Sequence, residues 1–212
     1  MTEPFFYHER IARGADTLAR LRDLPITVCG AGAVGANLTE SLARVGCARL
    51  KVIDRDRVEE RNLSTQPWQR GDVGAQKARI LGNTLFRALR VEVVAVVDEL
   101  SSGNVARLLA GSGLVVDAFD NSAARRAVHE HCAAADVPCL HVGLAADYAE
   151  VAWNEVYRVP SDAQDDVCDY PLTRSLVLLA VAVASEAVVA FAARGERVSR
   201  AITLNDLAIG SY

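Results

Sequence analysis

Six residues limit what this chain can fold into: Gly30-Ala31-Gly32-Ala33-Val34-Gly35, a G-x-G-x-x-G run. They follow a β-branched stretch at 26–30 (ITVCG) and open an Ala-rich amphipathic stretch at 34–45. Strand, tight turn and helix in direct succession are the first half of a βαβ unit. The first glycine permits the turn, the second lets an anion approach the backbone, and the third allows helix and strand to pack closely. The helix N-terminus then offers free N–H groups and a partial positive charge to a phosphate. Asp54 ends the next apolar run, 50–54 (LKVID), at the point where a carboxylate bonds ribose hydroxyls in such units. These features indicate an adenosine-bearing ligand and, by themselves, fit NAD as well as ATP.

The alternation continues along the chain. Strands are predicted at 26–30, 50–54, 91–97, 114–118 and 138–142, with helices at 34–45, 75–89, 101–110 and 122–135. That order specifies an α/β fold, a Rossmann-like, mostly parallel sheet with helices on both faces. Ser101 is the expected N-cap of its helix. Beyond residue 145 the pattern changes to a strand at 151–159, an acidic loop at 160–171, a long apolar helix at 175–193 and a short strand at 201–204. This part reads as an antiparallel C-terminal extension. No repeat, low-complexity tract or Gly/Ser linker divides the chain, so residues 1–212 are expected to form a single domain, with a nucleotide-binding core at about 26–145 and a C-terminal part at about 146–212.

Composition removes several alternatives. With 51% apolar and 24% charged residues the chain is not disordered. A net charge of −4 argues against a nucleic-acid partner, which needs a basic face. Five cysteines (Cys29, Cys47, Cys132, Cys139 and Cys168) are odd in number and lack a C-x-x-C pair, which argues against a disulfide framework and against zinc. His129, His131 and His141 show no metal-ligand spacing with acids or cysteines. The N-terminus has acidic residues and no apolar core of a signal peptide, so a reducing cytoplasm is expected. The 175–193 segment is almost long enough to span a bilayer, yet Glu186 inside it makes a buried protein helix the better reading. Of the 23 basic residues only Lys51 and Lys77 are lysine, so a lysine at a motif position stands out.

The segment 54–77 (DRDRVEERNLSTQPWQRGDVGAQK) is unusually polar for a crossover between such strands. The glycine turn, D-x-D-x-V-x-x-x-N-L-x-x-Q from Asp54 to Gln66, G-x-x-K from Gly74 to Lys77, and D-x-x-D-N-x-x-x-R from Asp117 to Arg125 occur in that order. In these residues the chain resembles the ThiF/MoeB/HesA-like, ubiquitin-activating-enzyme-like superfamily, over about residues 26–135. The resemblance implies an ATP-dependent adenylyltransferase acting on the C-terminal carboxylate of a small ubiquitin-like or sulfur-carrier protein ending in glycine. It further implies a homodimer and a C-terminal part that binds the carrier and forms the dimer contact. Matched residue by residue, it implies that Gly30, Gly32 and Gly35 cradle phosphate and that Asp54 binds ribose. Asp56 supports the nucleotide site, while Asn62 and Gln66 contact the nucleotide or order the loop. Lys77 neutralises phosphate and Asp120 holds Mg²⁺. The chemistry suits these residue types: the substrate carboxylate is itself the nucleophile, so the protein must position two anions and neutralise charge. Asp117 reads as structural, and Asn121 and Arg125 as candidates for bracing the loop.

Two departures matter. Relatives commonly carry Arg before the final Gln of the second motif, where it helps bind ATP phosphates; here that residue is Thr65. A small hydroxyl removes phosphate neutralisation, which either another arginine, such as Arg61 or Arg70, restores, or the activity is weakened. An N-terminal arginine that relatives place in the partner subunit's ATP site is matched only loosely, with Arg10 and Arg13 as candidates. Cys168 lies where relatives carry a cysteine-bearing crossover, but Asp165, Asp166 and Asp169 surround it and would raise its pKa. Two competing readings stand beside the enzyme: a non-catalytic relative that binds nucleotide or carrier, motivated by Thr65, and an NAD-dependent oxidoreductase, motivated by the glycine turn and Asp54 alone.

Overall fold

The computed structural model describes residues 4–160 and 172–212. Two helices open it, α1 (Tyr7–Arg13) and α2 (Ala15–Asp23). Strands and helices then alternate: β1 (Pro25–Cys29), α3 (Ala33–Val45), β2 (Arg49–Ile53), α4 (Lys77–Leu89), β3 (Val93–Val96), α5 (Val105–Leu109), β4 (Leu114–Asp117), α6 (Ser122–Ala134) and β5 (Cys139–Ala145). The C-terminal part contributes β6 (Tyr148–Trp153), α7 (Arg174–Arg194), β7 (Arg200–Thr203) and β8 (Ala208–Ser211). Among the described residues the strands form one sheet in the order β3-β2-β1-β4-β5-β6-β7-β8. From β3 to β5 neighbouring strands are parallel; β6, β7 and β8 add antiparallel. This is the α/β class and C-terminal extension expected.

Alternating side chains give the sheet two buried faces. Ile26, Val28, Leu50, Val52, Leu114, Val116, Leu140 and Val142 pack under α3, α4 and α7, while Cys29, Ile53, Val115 and Cys139 meet α5 and α6 on the other side. Such two-sided burial is why these strands read as near-continuous apolar runs. The α7 helix is long and apolar enough to cross a membrane, but Leu176, Val177, Ala180, Val181, Ala184 and Val188 are buried within the main core. One face of the helix is thus part of the protein core.

Three sequence expectations need correction. The helix expected at 101–110 starts at Val105, because the Ser101 N–H donates to Asn104 Oδ1 (2.9 Å) and closes a turn ahead of it; Ser101 is not the cap. The strand expected at 151–159 runs instead from Tyr148 to Trp153. The N–H groups of Val156 and Tyr157 both donate to the Trp153 carbonyl (3.0 Å each), a turn that swings Tyr157 inward. The last strand, at 200–203, turns back into β8, which the pattern did not mark.

That inward turn completes a buried polar network at the end of β4. Asp117 is fully buried, its Oδ2 lies 2.8 Å from His141 Nδ1 and 3.7 Å from Arg125 Nη1, and its Oδ1 accepts the Phe119 N–H (3.1 Å). Arg125 donates to Tyr157 Oη (3.0 Å) and to the Val142 carbonyl (2.8 Å). Tyr157 stacks on His141 with ring centroids 3.8 Å apart. Asn154 Oδ1 lies 2.7 Å from a ring nitrogen of each of His129 and His141. Burial alone would raise the Asp117 carboxyl, but the Arg125 charge and the His141 hydrogen bond outweigh it and hold it below the ordinary aspartate value.

Two stability measurements check this account. Leu42, fully buried on α3, should cost about 2–5 kcal/mol when changed to Ala, read by urea unfolding; a loss well below that range would mean that α3 is not part of the core. Asp117→Asn should cost about 3–5 kcal/mol at neutral pH, because Arg125 is left buried without its counter-charge. Because the folded carboxyl titrates low, its contribution is complete above the ordinary aspartate value, about 3.9, and is lost as pH falls through the folded value. The gap between wild type and Asp117→Asn should therefore close in acid; a gap independent of pH would contradict the network.

Candidate nucleotide-binding site

The sheet order reverses direction between β1 and β4, and ligands of open α/β sheets bind in the crevice beyond the strand ends at such a point. Cys29 and Asp117 are in register there, so the glycine turn faces the loop that carries Asp120. Gly30 has φ +96°, and a Cβ on it would lie 3.0 Å from the Ala118 carbonyl oxygen. A Cβ on Gly35 would lie 2.0 Å from the Gly30 carbonyl oxygen, which no side chain can satisfy. Nothing lies within 4 Å of the corresponding position on Gly32, so the backbone at the second glycine opens onto free space. The first turn of α3, whose N–H groups have no partners within the helix, begins there.

Asp54 holds this turn from the end of β2. Its Oδ2 accepts the Ala31 N–H (2.6 Å) and its Oδ1 accepts the Asp56 N–H (2.7 Å). A carboxylate has about four acceptor sites, so capacity remains for ligand hydroxyls. Burial pushes the Asp54 carboxyl up, only partly offset by the Ala31 N–H and the nearby Lys77 charge.

Lys77 reaches the site because the chain doubles back. The Val58 N–H donates to Ala75 O (2.9 Å), Gly74 N–H to Val58 O (2.8 Å) and Lys77 N–H to Asp56 O (2.9 Å). The start of α4 thus lies along residues 56–58, and the largely buried Lys77 ammonium sits 3.2 Å from Asp56 Oδ2. In the intervening loop Asn62 Oδ1 accepts the Glu59 N–H (2.9 Å), so Asn62 orders the loop. Buried Gln66 accepts the Trp68 indole N–H on Oε1 (2.6 Å). Asn37 on α3 donates to both Ala33 O (2.7 Å) and Thr65 O (2.9 Å), pinning this loop to the phosphate turn. Arg174 at the start of α7 donates to the same Thr65 carbonyl (3.3 Å). Neither Asn37 nor Arg174 was singled out from sequence; each carries its signal only in three dimensions.

Asn121 caps α6: its Oδ1 accepts the Ala124 N–H (2.8 Å). Asp120 is exposed and makes no hydrogen bond or ion pair with a described residue. The two aspartates of the motif thus differ by burial, Asp117 consumed internally and Asp120 open to a ligand. An open carboxylate beside a phosphate cradle fits Mg²⁺, which takes one or two carboxylates together with substrate phosphates.

The remaining candidates lie elsewhere. Arg13 is paired with Glu9 and with Glu186 on α7 (2.9 Å to Oε2), while Arg10 is exposed on α1. Cys168 and its acidic neighbours are outside the described residues. Burial raises the thiol pKa of Cys29 and Cys139 and pushes Cys47 up to about 12, which suits core residues rather than nucleophiles.

Comparison with known proteins agrees with this geometry. The ThiF family model matches residues 7–195. The chain is 36% identical over 166 residues to the SAMP-activating enzyme E1 of Haloferax volcanii, covering 77% of this chain and 57% of that protein. It is 29% identical over 134 residues to the sulfur carrier protein ThiS adenylyltransferase of Bacillus subtilis, covering 61% of this chain and 40% of that protein. The chain therefore spans about half the length of these curated relatives. The crystal structure of E. coli MccB with ATP superposes with a TM-score of 0.80 at 17% identity, over 94% of this chain and 66% of that one, a likeness of fold. A glycine turn at the sheet's switch point, the loop that returns Lys77 to it and a family match across most of the chain agree: this chain belongs to the ThiF family.

Proposed function

We propose that this chain is an ATP- and Mg²⁺-dependent adenylyltransferase that activates the C-terminal carboxylate of a small ubiquitin-like or sulfur-carrier protein ending in glycine. The observation that carries the proposal is the meeting of three features at one crevice: a glycine turn open to free space at Gly32, where α3 begins, a buried lysine, and a carboxylate, Asp120, without a described partner. The relatives named for activating or adenylylating such carriers support it.

In this reaction a carboxylate oxygen of the carrier attacks the α-phosphorus, the bond to the bridging oxygen breaks, and pyrophosphate leaves with the electron pair. No protein nucleophile is needed, which agrees with the buried, high-pKa thiols among the described residues. Residues 32–35 hold the phosphates by backbone N–H groups, since those of Gly30 and Ala31 are given to Ile53 O and Asp54, and Asp54 uses its remaining acceptor sites for the ribose hydroxyls. Lys77 has three N–H donors, so it can meet phosphate oxygens while keeping Asp56. Asp56 positions Lys77, and Asn62 and Gln66 keep the loop in shape. Asp120 would hold Mg²⁺, which supplies neutralisation of the charge that develops on the leaving phosphates.

The region at 146–212, with β6–β8 and α7, is assigned to carrier binding and dimer contact, and the protein to the cytoplasm. Four unpaired buried cysteines among the described residues suit a reducing compartment. The direct test is ATP–pyrophosphate exchange dependent on a carrier protein with a C-terminal glycine. Lys77→Ala and Asp120→Ala should each lower the exchange rate about 100-fold or more. Exchange that survives both substitutions would refute the assigned site. ATP binding without exchange for any such carrier would favour the non-catalytic reading that Thr65 motivates.

A further inference from the structure

A triphosphate brings about four negative charges, and most cations around this crevice are already matched. Lys77 sits against Asp56, Arg55 pairs with Glu99, Arg61 with Glu59, and Arg125 with Asp117. Arg174 differs: its contact is a backbone carbonyl, Thr65 O at 3.3 Å, and no described carboxylate pairs with it. Arg57 is likewise bound to a carbonyl, Gly74 O at 2.6 Å, but Arg174 is the one joined through Thr65 and Asn37 to α3. Arg174 keeps a full positive charge and most of five N–H donors uncommitted.

Its location is fixed from two directions. Thr173 caps α7 through Oγ1, which accepts the Leu176 N–H (3.4 Å), and the fully buried Leu176 and Val177 anchor the first turn. Arg174 therefore stands on a rigid element, and only its side chain is free to move. From the other side, Thr65 O is held by Asn37 Nδ2, which also donates to Ala33 O. Ala33 is the first residue of α3, and four residues of helix rise about 6 Å. The guanidinium is thus joined, through Thr65 O and the Asn37 amide, to the first residue of α3, whose opening turn carries backbone N–H groups without helical partners.

We propose that Arg174 binds the phosphate tail of the nucleotide, supplying from the start of α7 the charge that the neutral Thr65 does not. The inference rests on the nucleotide reading of the crevice and adds to it a residue outside every motif of the site. The long apolar helix then serves twice, filling the core along its length and placing a cation at the crevice from its first turn.

The test is ATP, AMP and adenosine binding by calorimetry to the full chain, for wild type, Arg174→Ala, Arg174→Gln and Arg174→Lys. Arg174→Ala and Arg174→Gln should weaken ATP binding at least tenfold, AMP less, and adenosine by no more than twofold, with unchanged melting temperatures. Arg174→Lys should recover part of the loss. Thr65→Arg in the Arg174→Ala background should recover most of it, because it returns a cation to the same loop. Equal loss for adenosine and ATP would mean that Arg174 only orders the loop, and would overturn the proposal. So would ATP binding by Arg174→Ala at wild-type strength. No ATP binding by wild type would instead overturn the nucleotide reading itself, and this inference with it.

Discussion

The close approach of α3 to β1 governs everything built above it. At Gly35 the helix backbone lies so near the Gly30 carbonyl that a methyl group would stand 2.0 Å from its oxygen. Only glycine lets the helix start there, and only a helix starting there directs its N-terminal N–H groups across the switch point. Asp54 then secures the turn by accepting the Ala31 N–H from the neighbouring strand. Burial raises that carboxyl despite its hydrogen bonds and the nearby lysine, which is the mark of a group kept in place at some cost to the unliganded fold. Perturbed groups of this kind cluster at functional sites.

A second constraint works from below. Asp117, Arg125, His141, Asn154 and Tyr157 form a satisfied polar network between β4, α6 and the turn after β6. A buried charge is tolerable only when it is paired and hydrogen-bonded, and here each member meets a partner. The network fixes the end of β4 and so the loop that presents Asp120. The motif's two acids, three residues apart, thus divide the labour: one is buried and braces, the other is exposed and free to bind.

Much of the architecture is legible in the sequence, for a physical reason. Parallel strands buried on both faces must be apolar throughout, so β1, β2, β4 and β5 stand out against their polar surroundings. The glycine turn announces itself because its residue types are forced by sterics, and Lys77 is conspicuous in a chain with two lysines. What stays hidden depends on contacts distant in sequence. The strand at 148–153 stops early because Tyr157 is drawn onto His141 and Arg125, and no local pattern records that. Ser101 has the right chemistry for a cap but lies three residues ahead of the one that precedes the helix, because Asn104 turns its own side chain back onto it. Arg174 looks from sequence like a flanking charge on an apolar helix, and its position at the crevice emerges only when α7 packs across the sheet beside α3.

The central claim is that the switch-point crevice is shaped for a nucleotide triphosphate held between the glycine turn, Lys77 and Asp120. A crystal structure of the full chain with a non-hydrolysable ATP analogue and Mg²⁺ tests this most directly. The account predicts phosphate oxygens on the backbone N–H groups of residues 32–35, the Lys77 ammonium on the triphosphate, and Asp120 at the metal. A nucleotide bound elsewhere, or phosphates that meet neither Lys77 nor Asp120, would contradict it.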